Sequence, residues 1–216
     1  MIIAFPTEYE AGELLARLSR RRHETIRGVP CWRGVIGGKT ILVIISGMGD
    51  AKSAVRVKTI LDLVPARRLI LAGFAGALTP DLQKGQTFVA DETMLHSADA
   101  VIDTPEKKHA LAQRTGCRLV DMETAAVARV AAAAGVEFRA IRAVSDEAGE
   151  TVPVAILAHG YDQAKGVTTP LRLTLYLMTH PWRLRALLKF LAPLPAVRHR
   201  LTDVIVSVLE KTKAES

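Results

Sequence analysis

Arg68-Leu69-Ile70-Leu71-Ala72-Gly73-Phe74-Ala75-Gly76 is a short aliphatic run that passes directly into a glycine-rich segment. Bounded by Pro65 and by glycines, it reads as a compact buried strand. The same unit recurs outward in both directions. Upstream, residues 1–5 form an apolar strand, and residues 8–18 a helix with Ala11, Leu14, Leu15 and Leu18 on one side. Residues 31–36 and 40–45 flank Gly37-Gly38, a hairpin signal. Ser46-Gly47-Met48-Gly49 then leads into a helix through Ala54, Val57 and Leu61 that stops before Pro65.

Downstream, residues 82–85 are a turn and residues 87–90 a strand, and Pro105 opens a helix at a favourable position. Residues 118–121 are strand-like, residues 123–134 form an alanine-rich helix stopped by Gly135, and residues 138–144 are a strand ending at Ser145-Asp146. Strands alternating with helices predict three α/β/α layers around a mostly parallel sheet. Ligands of such sheets collect beyond the carboxyl ends of the strands. Glu8/Glu10, Ser46 to Gly49, Gly73 to Gly76, Asp121/Glu123 and Asp146 all follow predicted strands at that rim.

At 216 residues, 49% hydrophobic and with 15 glycines, the chain is long enough to bury a core, and disorder throughout is excluded. One domain over residues 1–216 suffices, with residues 165–216 as its basic helical tail. From Lys165 onward nine bases face three acids, Asp203, Glu210 and Glu215, so six of the net +7 charges sit there. The tail reads as helices over 171–178, 182–191 and 201–209, divided by Pro181, Pro193 and Pro195. Cys31 and Cys117 are read as free thiols of a reducing compartment. The first residues lack the basic start of a signal peptide, and no apolar run is long enough to span a bilayer.

Among residues able to do chemistry, Asp121 and Glu123 stand at a strand-to-helix junction. A carboxylate there can accept charge-assisted bonds from a pair of hydroxyls, or simply cap the helix. Asp146, at a strand mouth, can supply a proton if apolar surroundings raise its pKa, or cap a turn. Arg142 can position Asp146, pair with another buried acid, or point outward. Glu10 can polarise a water, with Glu8 as its competitor. Ser46, Gly47 and Gly49, and Gly73, Phe74, Ala75 and Gly76, offer backbone N–H groups to an anion or nucleophile, or record tight turns. His96 lies near the rim, or on the surface. Neither glycine segment is a Walker loop or a dinucleotide fingerprint, and no cluster predicts a metal.

These segments together resemble the purine nucleoside phosphorylase and methylthioadenosine/adenosylhomocysteine nucleosidase superfamily. The resemblance runs from Met1 to about Ala148 and is most specific in the pair Val120-Asp121-Met122-Glu123 and Arg142-Ala143-Val144-Ser145-Asp146. It implies a mixed, mostly parallel sheet of the nucleoside phosphorylase type and cleavage of an N-glycosidic bond that releases adenine. It also implies a role for each residue. Glu123 would hold the ribosyl 2′- and 3′-hydroxyls, and Met122 would pack beneath the sugar. Asp146, beside Ser145, would protonate purine N7, and Glu10 would activate water as in the nucleosidase branch. The glycine segments would line the nucleophile site. No cofactor is implied, inorganic phosphate being a co-substrate if the reaction is phosphorolytic.

Two departures accompany the resemblance. Residues 96–120 are short where the family carries several tens more, which implies an open pocket for a bulky 5′ substituent. Phe74 replaces a hydroxyl residue, leaving phosphate and water both open as nucleophile. Both departures, and the basic tail, are similar to the hopanoid-associated phosphorylases, which implies an adenosyl-hopane substrate and phosphorolysis. The rival expectations are a soluble nucleosidase and an inactive nucleoside-binding protein. The expected partners are a small nucleoside, lipid-linked in the hopanoid-associated reading, and further copies of the chain. The tail is expected either to contact the inner face of a membrane or to pack within the protein. Nucleic-acid binding is not expected, and the expected location is cytoplasmic.

Overall fold

The computed structural model describes residues 1–162 and 167–211. Lys165, Lys213 and Glu215, counted above in the basic tail, lie outside the described residues. The first unit is β1 (Ile2–Phe5), α1 (Glu8–Arg17), β2 (Ser19–Ile26), β3 (Val29–Ile36), β4 (Lys39–Ile45) and α2 (Asp50–Leu63). Next come β5 (Arg68–Ala77), β6 (Thr87–Ala90), β7 (Leu95–Ser97), α3 (Pro105–Thr115), β8 (Leu119–Asp121), α4 (Thr124–Ala133) and β9 (Glu137–Asp146). The chain closes with α5 (Val154–Gly160), β10 (Tyr161–Asp162), β11 (Val167–Thr168), α6 (Pro170–Thr179), a 3-10 turn (Pro181–Arg183), α7 (Leu184–Leu191) and α8 (Leu194–Lys211).

The main sheet runs β2-β3-β4-β1-β5-β8-β7, with β9 on β5 and β6 on β9. It is mixed. Its centre is parallel, β1 with β4 and β5, and β5 with β9, while the β2-β3-β4 meander, β5-β8 and β6-β9 are antiparallel. Strand side chains alternate between faces, and β1 shows the layering. Ile3 and Phe5 pack with Leu14 of α1 and Leu201 and Ile205 of α8. Ile2 and Ala4 pack with Val57 and Ile60 of α2 and Val127 and Ala131 of α4. The result is the three-layer α/β/α architecture, with helices on both faces of the sheet.

Local chemistry explains most boundaries. Thr7 caps α1, accepting from the Glu10 N–H at 3.3 Å. Pro105 opens α3, and Gly116 ends it at φ 71°, a left-handed value that favours glycine. Gly37 and Gly38, both at positive φ, turn β3 into β4 as the hairpin signal predicted.

One strand went unread in the sequence, and three readings require correction. β2, Ser-Arg-Arg-Arg-His-Glu-Thr-Ile, is a strand without apolar alternation because it is an exposed edge, where charges block further pairing. Gly73 to Gly76 is no turn: β5 continues to Ala77, paired to β9 throughout. His96 lies within β7, paired with Val120, rather than after a strand. Pro193 and Pro195 do not delay the last helix until residue 201, since Pro195 falls in the first turn of α8, where a missing N–H costs little. That helix packs Leu201, Ile205 and Leu209 into the core beside α1.

Candidate active site

β5 organises the site. β1 pairs it only as far as Leu71, and β8 takes over the same edge at Gly76. Between them the edge is open, and the Phe74 N–H there donates to Glu10 Oε1 at 2.8 Å. Glu10 reaches it as the third residue of α1, with its other oxygen accepting the Thr7 hydroxyl at 2.5 Å. Behind this edge the Arg142 side chain crosses Gly73. A Cβ at position 73 would sit 2.5 Å from Arg142 Nη1 and 2.9 Å from Glu10 Oε1, so the close approach requires glycine.

Arg142 is completely buried. It pairs with Asp121 through a short Nη2–Oδ2 contact, and Glu123 Oε2 lies 4.0 Å away. Its Nη1 has no hydrogen-bond partner. Asp121 also accepts the Ser97 hydroxyl at 2.7 Å and the Thr124 N–H at 3.1 Å. These bonds engage its carboxylate within the protein, in keeping with the helix-capping alternative read from the sequence. It anchors Arg142 and the start of α4.

Glu123 sits at the N-cap of α4 but makes no side-chain capping bond. It accepts instead from the Gly49 N–H at 2.8 Å. Burial pushes its carboxyl up to about 7, partly opposed by Arg142. Burial likewise pushes the Glu10 carboxyl up, opposed by the Thr7 hydroxyl, the Phe74 N–H and Arg142. Two buried carboxylates thus flank one buried guanidinium.

Asp146 ends β9 next to Gly76 and is not in the apolar setting expected for it. Oδ2 accepts from Lys108 Nζ at 2.6 Å and Oδ1 from the Ser145 hydroxyl at 2.6 Å. Lys108 is fully buried and also donates to the Glu147 and Glu150 carbonyls, at 2.7 and 3.0 Å. The cation attached to Asp146 is therefore Lys108, whereas Arg142 serves Asp121 and Glu123. Lys108 was missed in the sequence, although it lies one helical turn before the buried Leu111, on the inward stripe of α3.

A cavity of about 930 Å³ opens on these groups. Glu10, Met122, Glu123, Asp121, Ser145, Asp146, Phe74, Ala75 and Gly76 lie on its wall, as does Glu8. Ser46, Gly47, Gly49, Gly73, Arg142 and His96 do not. The Ser46–Gly49 segment was expected to receive a nucleophile. In the structure the Ser46 hydroxyl donates to the Phe5 carbonyl at 3.2 Å, the Gly49 N–H serves Glu123, and Met48 is the residue of this segment on the wall. Sequence reading also missed Tyr9, whose ring lies edge-on to Phe74 at 6.3 Å, and Arg56. The far wall is apolar and comes from α5 and the tail: Leu157, Leu173, Leu187, Phe190, Leu191 and Leu194. Among the described residues no group of three His, Cys, Asp or Glu side chains is placed to hold a metal.

Known proteins are similar to this chain in sequence and in fold. A 5′-methylthioadenosine/S-adenosylhomocysteine nucleosidase of Haemophilus influenzae is 31% identical over 96 residues, 44% of this chain and 42% of that protein. The matched stretch thus spans about two fifths of the length of the first such relatives. The nucleosidase of Actinobacillus succinogenes is 27% identical over 66% of this chain and 87% of its own. Among solved structures, the S. pneumoniae nucleosidase with a transition-state inhibitor superposes with a TM-score of 0.72 at 17% identity, covering 97% of this chain and 99% of that one. A Helicobacter pylori nucleosidase gives 0.72 at 16%, covering 97% of each. The family model described as the phosphorylase superfamily matches residues 1–101 and 92–175, and with it the strand ends that carry Glu10, Glu123 and Asp146. This chain belongs to the phosphorylase superfamily.

Proposed function

We propose that the protein hydrolyses the N-glycosidic bond of an adenine nucleoside bearing a bulky apolar 5′ group. The observation that carries this reading is the convergence of buried Glu10, Glu123 and Asp146 on one cavity wall, within reach of a single bound molecule. Glu123 accepts the ribosyl hydroxyls, and Met122 supports the sugar ring. As the C1′–N9 bond breaks, the electron pair leaves with adenine, and N7 takes up a proton through Asp146. Water adds to C1′ and gives its proton to Glu10, a carboxylate next to the unpartnered Arg142 Nη1. The two glutamates lie where they stabilise the positive charge that develops on the sugar.

The curated relatives are nucleosidases, which favours water over phosphate as nucleophile. The apolar far wall favours a substituent larger than methylthio, as a cavity of this size holds more than a nucleoside. The hopanoid-associated resemblance supplies a second reading, in which the 5′ group is a hopane and inorganic phosphate is the co-substrate. The observation in its favour is Arg56, a cation on the same wall.

The test is adenine release from methylthioadenosine, adenosylhomocysteine and an adenosyl lipid, each with and without phosphate. Release independent of phosphate is expected, with the lowest KM for the lipid. Release only with phosphate transfers the reading to phosphorolysis. No release from any of the three overturns both.

A further inference from the structure

Twelve large apolar side chains are exposed among the described residues, and seven lie between residues 171 and 191. Leu171, Leu175, Met178, Trp182 and Leu188 are each more than half exposed. In α6 they recur as Leu171, Leu175 and Met178 along one side of the helix, and in α7 as Leu184 and Leu188, one turn apart, with Leu191 at the margin shared with the cavity wall. Leu173 of α6 and Leu187 and Phe190 of α7 belong to the cavity wall. These two helices therefore have an inner side that closes the site and an outer side that nothing among the described residues covers.

The outer side is also uniformly cationic. The sequence contains no acid between Asp162 and Asp203, while Arg172, Arg183, Arg185 and Lys189 punctuate the stripes. A stack of rings, His159 on Tyr176 at 3.9 Å and Tyr176 on His180 at 4.5 Å, runs toward Trp182, and Arg183 lies over Tyr176. Apolar side chains, a tryptophan and arginines without acids suit the boundary between acyl chains and anionic headgroups. A second copy fits less well, because a twofold contact brings this face against itself and sets like charges opposite one another. The 10 residues of α6 extend about 15 Å, about half a bilayer core, so the helix lies along the surface.

We propose that the outer side of α6 and α7 docks on an anionic membrane and holds the mouth of the active-site cavity against it. This extends the reading of an apolar 5′ group: a nucleoside anchored in the bilayer by that group enters between the docked helices and reaches Glu123 and Asp146 without leaving the membrane. Surface and site are two sides of the same helices.

The experiment is co-sedimentation of the full chain with vesicles of phosphatidylcholine, alone or mixed with phosphatidylglycerol, at low and high salt. Binding to the mixed vesicles only, weakened by salt, is expected. The triple variant L175S/M178S/W182S should lose it, and R183E/R185E should weaken it at least about tenfold. Both should release adenine from methylthioadenosine at the wild-type rate, a readout that tests the nucleosidase reading separately. Failure of the wild-type chain to bind mixed vesicles at low salt overturns the proposal. So does a wild-type dimer that the triple variant converts to monomer, which assigns the face to a second copy.

Discussion

Lys108 Nζ and Asp146 Oδ2 lie 2.6 Å apart, joining α3 to the end of β9, with the lysine wholly shielded from solvent. A buried ion pair is costly to break from one side, because the remaining charge has no compensation. Lys108→Met is expected to destabilise the fold by about 3–5 kcal/mol. Asp146→Asn, the obvious test of proton delivery, strands Lys108 and should be destabilising as well. The double variant should lose less than the two singles added together. Urea unfolding of the four proteins measures this coupling, and strict additivity would remove the pair from the account.

Glu123 titrates near neutrality through burial, and the sign of its effect follows from that. Its carboxyl is raised from 4.5 to about 7 in the folded protein, so the native state holds the proton more tightly than the unfolded one. The resulting stability is present in full below the unfolded value and is lost as pH rises to about 7, by roughly 3 kcal/mol at about 1.36 kcal/mol per unit. Glu123→Gln should flatten this decline, leaving the slope due to Glu10, whose carboxyl burial also raises. Thermal unfolding between pH 4 and 8 checks it, and an unchanged slope would contradict it.

The same titration shapes catalysis. Ribosyl hydroxyls donate hydrogen bonds, so productive binding needs Glu123 ionised. The kcat/KM for methylthioadenosine should therefore rise as pH passes through about 7 and level off above it. A profile that falls across this range would show that the protonated form binds substrate.

Gly73→Ala tests the crossing of β5 by Arg142. The added methyl meets Arg142 Nη1 and Glu10 Oε1, well inside van der Waals contact. Overpacking of this kind costs about 1–3 kcal/mol. Adenine release should fall more than stability does, since the displaced Glu10 is the group that takes the proton of water in the proposed reaction. Parallel measurement of kcat/KM and Tm separates the two effects.

Phe190→Ala probes the far wall. Its ring meets a long apolar substituent but not the nucleoside itself. KM for an adenosyl lipid should increase about 10- to 100-fold, corresponding to roughly 1.5–3 kcal/mol of lost apolar contact. That for methylthioadenosine should change little. Equal increases for both substrates would place Phe190 elsewhere.

The sequence was most legible where one residue type answers one local demand. The β-α alternation, the Gly37-Gly38 turn and the Pro105 start each follow from backbone chemistry, as does the rim at the strand ends. β2 was invisible because an exposed edge strand has no buried side to pattern. β5 seemed to end at Gly73 because glycines signal turns, whereas here they admit Arg142 and Asp146 against the strand. Which buried cation serves which acid could not be read from spacing. Arg142 is four residues from Asp146 yet pairs with Asp121, while Lys108 arrives from a helix 38 residues away. The apolar wall of the site was equally hidden, since it joins α5 and the tail to strand ends distant in sequence.

All the reacting groups are registered against one strand. Glu10 hangs on the Phe74 N–H, Arg142 crosses Gly73, and Asp146 lies against Gly76. Only the side chain at 74 in this stretch is large, and it lies on the cavity wall beside Glu10. Residue 74 can thus be exchanged without disturbing the amide that holds Glu10, because that amide belongs to the backbone. Under the proposed reaction, a single codon offers a handle on which small molecule attacks the sugar, while the proposed acid and base and their counter-ions keep their stations.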